Sequence, residues 1–229
     1  MAPETPILYS FRRCPYAMRA RLALAVSGQN CTLREVVLGD KPAALLQASP
    51  KATVPVLVLP GGAVIEQSLE IMLWALRCND PLQWLPTDDA GMAHALRWIE
   101  ACDGPFKQAL DRYKYPHRYA LLDGLTDRTR GAEFLTDLNA CLAHHGSLHT
   151  ACLHQAIGGA PQVIFGLADA AIAPFVRQFA ATDPSWFDSQ RWPALQAWLA
   201  QFIGSALLAR VMEKYPRWAP DQAPIAFPP

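Results

Sequence analysis

Cys14-Pro15-Tyr16-Ala17 brings together residue types that suit thiol chemistry. The cysteine lies between a short apolar run, Ile7-Leu8-Tyr9, and a helix-like run from Ala17 to Val26. A strand-to-helix turn offers unpaired backbone N–H groups and the positive end of a helix dipole, and both favour an anion. A thiolate is such an anion. At helix N-termini a cysteine pKa falls from about 8.5 to roughly 3.5–7.5. Pro15 fits a first helical position, where its missing N–H would have no partner anyway. Arg12 and Arg13 precede the cysteine and Arg19 and Arg21 follow it; any of them near the sulfur favours the charged form. Ala17 stands where a C-x-x-C motif has its second cysteine, so a small external thiol becomes the natural disulfide partner. The competing reading makes Cys14 a small packed hydrophobe.

The remaining cysteines, Cys31, Cys78, Cys102, Cys141 and Cys152, lie in apolar or helix-like stretches and read as packing residues. Their spacings and those of the six histidines match no zinc pattern. His144-His145 and His149, near Cys141 and Cys152, come nearest to one. Adjacent residues on a helix point about 100° apart, which does not suit a shared metal. No metal is expected.

Two further spots bear on ligand binding. Thr53-Val54-Pro55-Val56 places a proline at the head of a strand. A cis bond there would turn the Val54 backbone outward, ready to pair with an extended peptide; an ordinary trans proline starting a strand is the alternative. Gln67-Ser68 stands at the start of a helix. Ser68 can cap that helix, or both side chains and the helix N-terminus can receive a carboxylate.

The elements that must position these residues follow from the pattern. Residues 6–78 alternate strand and helix signals: a strand at Ile7-Leu8-Tyr9, a helix over Ala17–Val26 ended by Gly28, and a strand over Cys31–Leu38. A short helical stretch over Lys41–Gln47 follows, then a strand over Val54–Leu59. Pro60-Gly61-Gly62 turns the chain into a fourth strand, Ala63-Val64-Ile65, and Ser68–Arg77 is a helix. The order β-α-β-α-β-β-α predicts a small open sheet with crossover helices and a terminal hairpin. Residues 79–89 read as a linker. From residue 90 the signals are helical: Met92–Arg112, Glu133–His145, Ala168–Phe179, Pro193–Phe202 and Ala206–Lys214. Five prolines among the last fourteen residues predict an irregular tail after Tyr215.

The chain has 229 residues, 52% hydrophobic and 17% charged, with a formal net charge of zero. That is enough for a real core without disulfide staples. The balanced charge gives no ground for nucleic acid or an anionic membrane as partner. The sequence has no apolar run of about twenty residues and no charged-then-apolar leader pattern. With few, irregularly spaced cysteines, a cytoplasmic location is expected.

The order Cys14-Pro15-Tyr16-Ala17, Val54-Pro55, Gln67-Ser68, followed by an all-helical half, resembles the cytosolic glutathione S-transferase family. Cys14 to Leu22 and Lys41-Pro42 resemble its cysteine-type, omega-like class. The resemblance implies a thioredoxin-like α/β domain over residues 1–78, the linker 79–89, and an all-α domain over residues 90–229. Phe165-Gly166-Leu167-Ala168-Asp169 resembles the family's capping-box segment, with Gly166 in place of the hydroxyl residue and Asp169 able to reach the Gly166 N–H.

Carried over, the resemblance makes Cys14 the catalytic residue beside the glutathione sulfur. Val54, next to a cis Pro55, would pair with the cysteinyl part of glutathione. Gln67 and Ser68 would hold the γ-glutamyl carboxylate and amine, and Lys41 the glycyl carboxylate. Omega-like members have Glu-Ser at the Gln67-Ser68 pair, so the charge for the amine is missing unless Glu66 supplies it. The implied activity is glutathione-dependent thiol transfer or reduction of glutathionyl conjugates. Conjugation of electrophiles, with a hydroxyl such as that of Tyr9 or Ser10 supporting the glutathione thiolate, is the second reading. A non-catalytic glutathione-binding redox or interaction protein is the third. The resemblance also implies a homodimer, and a second substrate that is not identified, held near aromatic residues among Phe106, Tyr113, Tyr115, Trp186 and Trp218.

Overall fold

The computed structural model describes residues 5–148 and 165–228. Contact density divides the chain into two units, Met1–Leu82 with Ser205–Pro229, and Gln83–Gly204. The first unit follows the expected order: β1 (Ile7–Ser10), α1 (Pro15–Ser27), β2 (Cys31–Glu35), α2 (Ala43–Ala48), β3 (Val56–Val58), β4 (Val64–Ile65) and α3 (Ser68–Cys78). β1 and β2 are parallel, as a crossover helix requires, while β3 is antiparallel to β1 and β4 antiparallel to β3. β2 ends three residues before the expected Leu38, because Val37 bridges back to Asp40 and reverses the chain. β3 begins after Pro55, which has no N–H to give a ladder.

α1 is buried on every face except at Tyr16 and packs against α3 and α10 (Ala206–Val211). Gly28 ends it as expected, at φ 68°, with its N–H bonded to the Leu24 carbonyl. The tail departs from expectation. Residues Ile225–Phe227 form β5, antiparallel to β2 at the edge of a five-stranded sheet ordered β4-β3-β1-β2-β5. Pro224 and Pro228 bracket this strand; an edge position tolerates them. Residues 205–229 therefore cluster with the α/β unit rather than extending the helical half.

The second unit is helical among the described residues: α4 (Asp89–Ala101), a π-helical segment (Cys102–Phe106), α5 (Lys107–Lys114), a 3₁₀ turn (Pro116–Tyr119), α6 (Leu125–His145), α7 (Leu167–Ala180), α8 (Pro184–Asp188) and α9 (Pro193–Ile203). The expected single helix Met92–Arg112 is interrupted where Pro105 lacks an N–H for the regular ladder. α6 begins eight residues before the expected Glu133. The core is aromatic: Phe106 stacks on Phe134 at 4.5 Å, and Tyr113 lies 5.0 Å from Phe179. A Cβ at Gly131 would meet the Phe179 ring at 2.5 Å, so this position admits only glycine without a shift. His149 and Cys152, named above for metal-like spacing, lie outside the described residues.

Candidate functional site

Strand direction gathers the candidate residues at one edge of the sheet. β1 runs into the turn that carries Cys14, and its parallel neighbour β2 runs into the segment that carries Lys41. Tyr9, near the end of β1, pairs with Val56 at the start of β3, so Val54-Pro55 lies beside the β1 exit. β4 runs back alongside β3 and delivers Glu66, Gln67 and Ser68 to that same edge. The helices α1 and α3 both present their N-termini there.

Cys14 is the N-cap residue of α1 in extended backbone, with Pro15 at the first helical position, and its side chain makes no cap hydrogen bond. Its N–H donates to the Phe11 carbonyl at 2.9 Å, and its carbonyl accepts from Met18 at 2.8 Å. The half-buried thiol donates to the Val54 carbonyl at 3.7 Å and packs on a cluster of Tyr9, Val36, Leu45, Val54 and Val56. The Val54–Pro55 bond is cis, as expected. Cys14 and Val54 are thus in contact across the sheet edge.

Ser68 is the buried first residue of α3, and its hydroxyl accepts from Arg19 Nε at 3.0 Å. It does not cap the helix; Gln67, exposed, holds the N-cap position without a side-chain cap bond. Glu66 is turned to Ser49 and Lys51, whose contacts hold its carboxyl below the usual range, the Ser49 hydrogen bond contributing most. Lys41 stands half-buried just before α2, whose N-cap is Pro42.

The four arginines near Cys14 separate by role. Arg13 is exposed with its guanidinium over Phe11, and Arg19 serves Ser68 and lies over Tyr16. Arg12 gives its backbone N–H to Glu35 at 2.6 Å. Arg21 is buried beneath the turn, and attraction to Glu35 and to Cys14 opposes the burial that lowers its pKa to about 10. The hydroxyls weighed for conjugation are both turned to arginines: buried Tyr9 accepts from Arg34 at 2.5 Å, and buried Ser10 accepts from Arg21.

Residues 8–83 match the family model described as Glutathione S-transferase, N-terminal domain. Over those residues the chain is similar to the N-terminal domain of the glutathione S-transferases. Glutathione S-transferase U22 of Arabidopsis thaliana is 33% identical over 113 residues, covering 49% of this chain and 51% of that protein. The chain thus spans about half the length of the curated relative it matches. The Tau class glutathione S-transferase from mango, Mangifera indica, superposes with a TM-score of 0.74 at 21% identity, covering 93% of this chain and 94% of that one. A glutathione transferase from Pseudomonas putida, solved with one glutathione disulfide bound per subunit, gives 0.75 at 18% identity, covering 92% of each chain. The fold is that of the glutathione S-transferases: a thioredoxin-like α/β domain with a mixed sheet and a helical domain.

Three features of this chain escaped sequence reasoning. The Arg19–Ser68 and Arg21–Ser10 hydrogen bonds join residues whose contact depends on how α1 packs. Two arginines inside an otherwise apolar helix were the available signal, since a buried guanidinium must find acceptors. Cys78, read as a packing residue, is exposed at the last position of α3. Trp218 belongs to the α/β unit, with Arg34 packed over its ring at 4.1 Å, and Phe106 and Tyr113 are core residues of the helical unit. Among the described residues no group of three or more histidine, cysteine or acidic side chains is placed to hold a metal, and no helix is long and apolar enough to cross a membrane.

Proposed function

We propose that this chain is a glutathione-dependent thiol transferase of the cysteine type, with Cys14 as nucleophile and residues 1–78 as the glutathione-binding part. The observation that carries this reading is the thiol at the N-cap of α1, in contact with the Val54 carbonyl beside a cis proline. The Cys14 thiolate attacks the glutathione sulfur of a mixed disulfide R–S–SG. A Cys14–SG disulfide forms and RS⁻ leaves. A glutathione thiolate then attacks Cys14–SG, releasing glutathione disulfide and regenerating the Cys14 thiolate. Attack on the glutathione sulfur of a glutathionyl conjugate is the same first step with a carbon leaving group.

Val54 would pair through its backbone with the cysteinyl part of glutathione. The N-terminus of α3, with Gln67 and Ser68, would receive the γ-glutamyl carboxylate, and Lys41 the glycyl carboxylate. Arg19 orients the Ser68 oxygen, leaving the hydroxyl proton to donate. The glutathione disulfide bound by the Pseudomonas putida relative supports a disulfide-accepting site on this fold. Burial of Tyr9 and Ser10 against arginines supports thiol transfer over conjugation, since neither hydroxyl is presented at the surface. The proposed assembly is a homodimer working in the cytoplasm.

The test is Cys14→Ser, assayed for thiol transfer and for aryl-halide conjugation on one preparation whose melt shows it folded. Thiol transfer should vanish while glutathione still binds. Thiol transfer that survives in the serine variant removes Cys14 as nucleophile and promotes conjugation.

A further inference from the structure

Arg21 is a fully charged side chain with only 1% of its surface exposed. Its direct partners are neutral: the Ser10 hydroxyl, the Arg12 carbonyl at 2.7 Å, the Val211 carbonyl at 3.0 Å and the Met212 sulfur at 3.9 Å. Two of them bracket the turn before Cys14, Ser10 at the end of β1 and Arg12 within the turn. Arg12 also donates its N–H to Glu35, and Cys14 its N–H to Phe11. The turn is therefore fastened at successive residues, and Arg21 supplies two of the fastenings.

The charge itself is not matched by a direct ion pair among the described residues. The charged and titratable groups that act on it are Glu35 on β2, Cys14 and Arg12 in the turn, and Tyr215 in the C-terminal segment. Arg12 opposes it, whereas Glu35, Cys14 and Tyr215 attract it in their ionised forms. A charge in a poorly hydrated interior acts over several ångströms with little screening. Two anions, the Glu35 carboxylate and a Cys14 thiolate, thus share one buried cation.

We propose that Arg21 is a positioning residue for Cys14, fastening the turn that presents the thiol and stabilising the thiolate with a charge that Glu35 partly offsets. This rests on the reading of Cys14 as nucleophile. The sharing arrangement gives opposite signs for the two partners. Removing the Arg21 charge disfavours the thiolate, and removing the Glu35 charge favours it. Glutamine at position 35 still accepts the Arg12 N–H, so the turn keeps its fastening. A merely structural Arg21 gives no reason for a folded Arg21→Gln chain to slow Cys14 at low pH while Glu35→Gln speeds it.

The experiment is the pH profile of iodoacetamide alkylation on the full chain, read at the Cys14 peptide by mass spectrometry, with exposed Cys78 as internal reference. Arg21→Gln should alkylate about tenfold more slowly at pH 6 than the natural chain, and Glu35→Gln severalfold faster. Arg21→Lys, which keeps the charge but loses the fork of donors, should fall between the natural chain and Arg21→Gln. Should Arg21→Gln not fold, Glu35→Gln and Arg21→Lys decide. A Glu35→Gln profile that is unchanged or slower overturns the proposal while leaving Cys14 as nucleophile. A natural chain whose Cys14 follows an ordinary peptide thiol, with its midpoint near about 8.5, removes the thiolate reading and this proposal with it.

Discussion

Asp169 in the helical unit and Arg21 in the α/β unit are each buried charges held by neutral partners, and their surroundings differ. In the helical unit Asp169 is fully buried and accepts from the Leu148 N–H at 3.0 Å, the Gly166 N–H at 3.0 Å and the Trp198 indole at 2.9 Å. Those donors come from the segment just after α6, the start of α7 and the middle of α9, so the carboxylate ties three segments together. In the α/β unit Arg21 likewise joins β1, the following turn and the end of α10 through acceptors. The field of Asp169 meets fixed dipoles and packing residues; the nearby Cys141 thiol, half-buried, has its pKa raised by burial and then by Asp169. The field of Arg21 meets a thiol at a helix start. Asp169 thus serves the fold, and the proposal for Arg21 is that its field would serve chemistry as well.

The largest effect should come from Asp169→Ala. It strands three buried donors, each costing about 1–3 kcal/mol when unpaired. Loss of roughly 3 kcal/mol or more in urea unfolding is expected; a loss under about 1 kcal/mol would mean that Asp169 is not the tie described here. The pH dependence sharpens the contrast. Burial, opposed by its hydrogen bonds, raises the Asp169 pKa from 3.8 to about 6. Because the folded value lies above the unfolded one, this group's contribution to stability is full below about pH 3.8 and is lost as pH rises through about 6. The stability advantage of the natural chain over Asp169→Asn should therefore shrink between pH 4 and 7. A constant or growing advantage would show that the three donors, not burial, govern this carboxyl.

At the chemical edge the expected effects are smaller and fall on binding. Ser68→Ala removes the Arg19 acceptor and the proposed contact to glutathione, costing about 1 kcal/mol in stability and about fivefold in glutathione affinity. Unchanged affinity, read by calorimetry, would take Ser68 out of the site. Lys41→Ala should weaken glutathione by a factor of a few, since a part-exposed lysine–carboxylate contact is worth about 0.2–1 kcal/mol. The residual binding should depend less on salt. Affinity that does not respond would free Lys41 from any role with the glycyl carboxylate.

Much of the edge could be read before the structure was in hand. Cys14-Pro15, Val54-Pro55 and Gln67-Ser68 carry backbone signals, a helix start, a proline at a strand head and a second helix start, and such signals are local in sequence. The capping by Asp169 was legible for the same reason, since it reaches only three residues back to Gly166. Its bonds to Leu148 and Trp198 span 21 and 29 residues and depend on tertiary packing. Arg19 and Arg21 could be suspected near the sulfur, but the acceptors each one takes, Ser68 for Arg19 and Ser10 with the Arg12 carbonyl for Arg21, depended on the rotation of α1 against the sheet. Ser68 looked like a cap because serine favours N-caps; the helix starts one residue earlier than a serine cap would allow, and the hydroxyl turns to Arg19. β5 was hidden by its flanking prolines, which argue against a strand until an edge position is known to exist.

The most direct measurement treats the reduced chain with glutathione disulfide and maps the adduct under non-reducing conditions. Cys14 as nucleophile predicts one glutathionyl group on the peptide that contains Cys14, removed again by added glutathione. An adduct confined to exposed Cys78, with Cys14 unmodified, would contradict it.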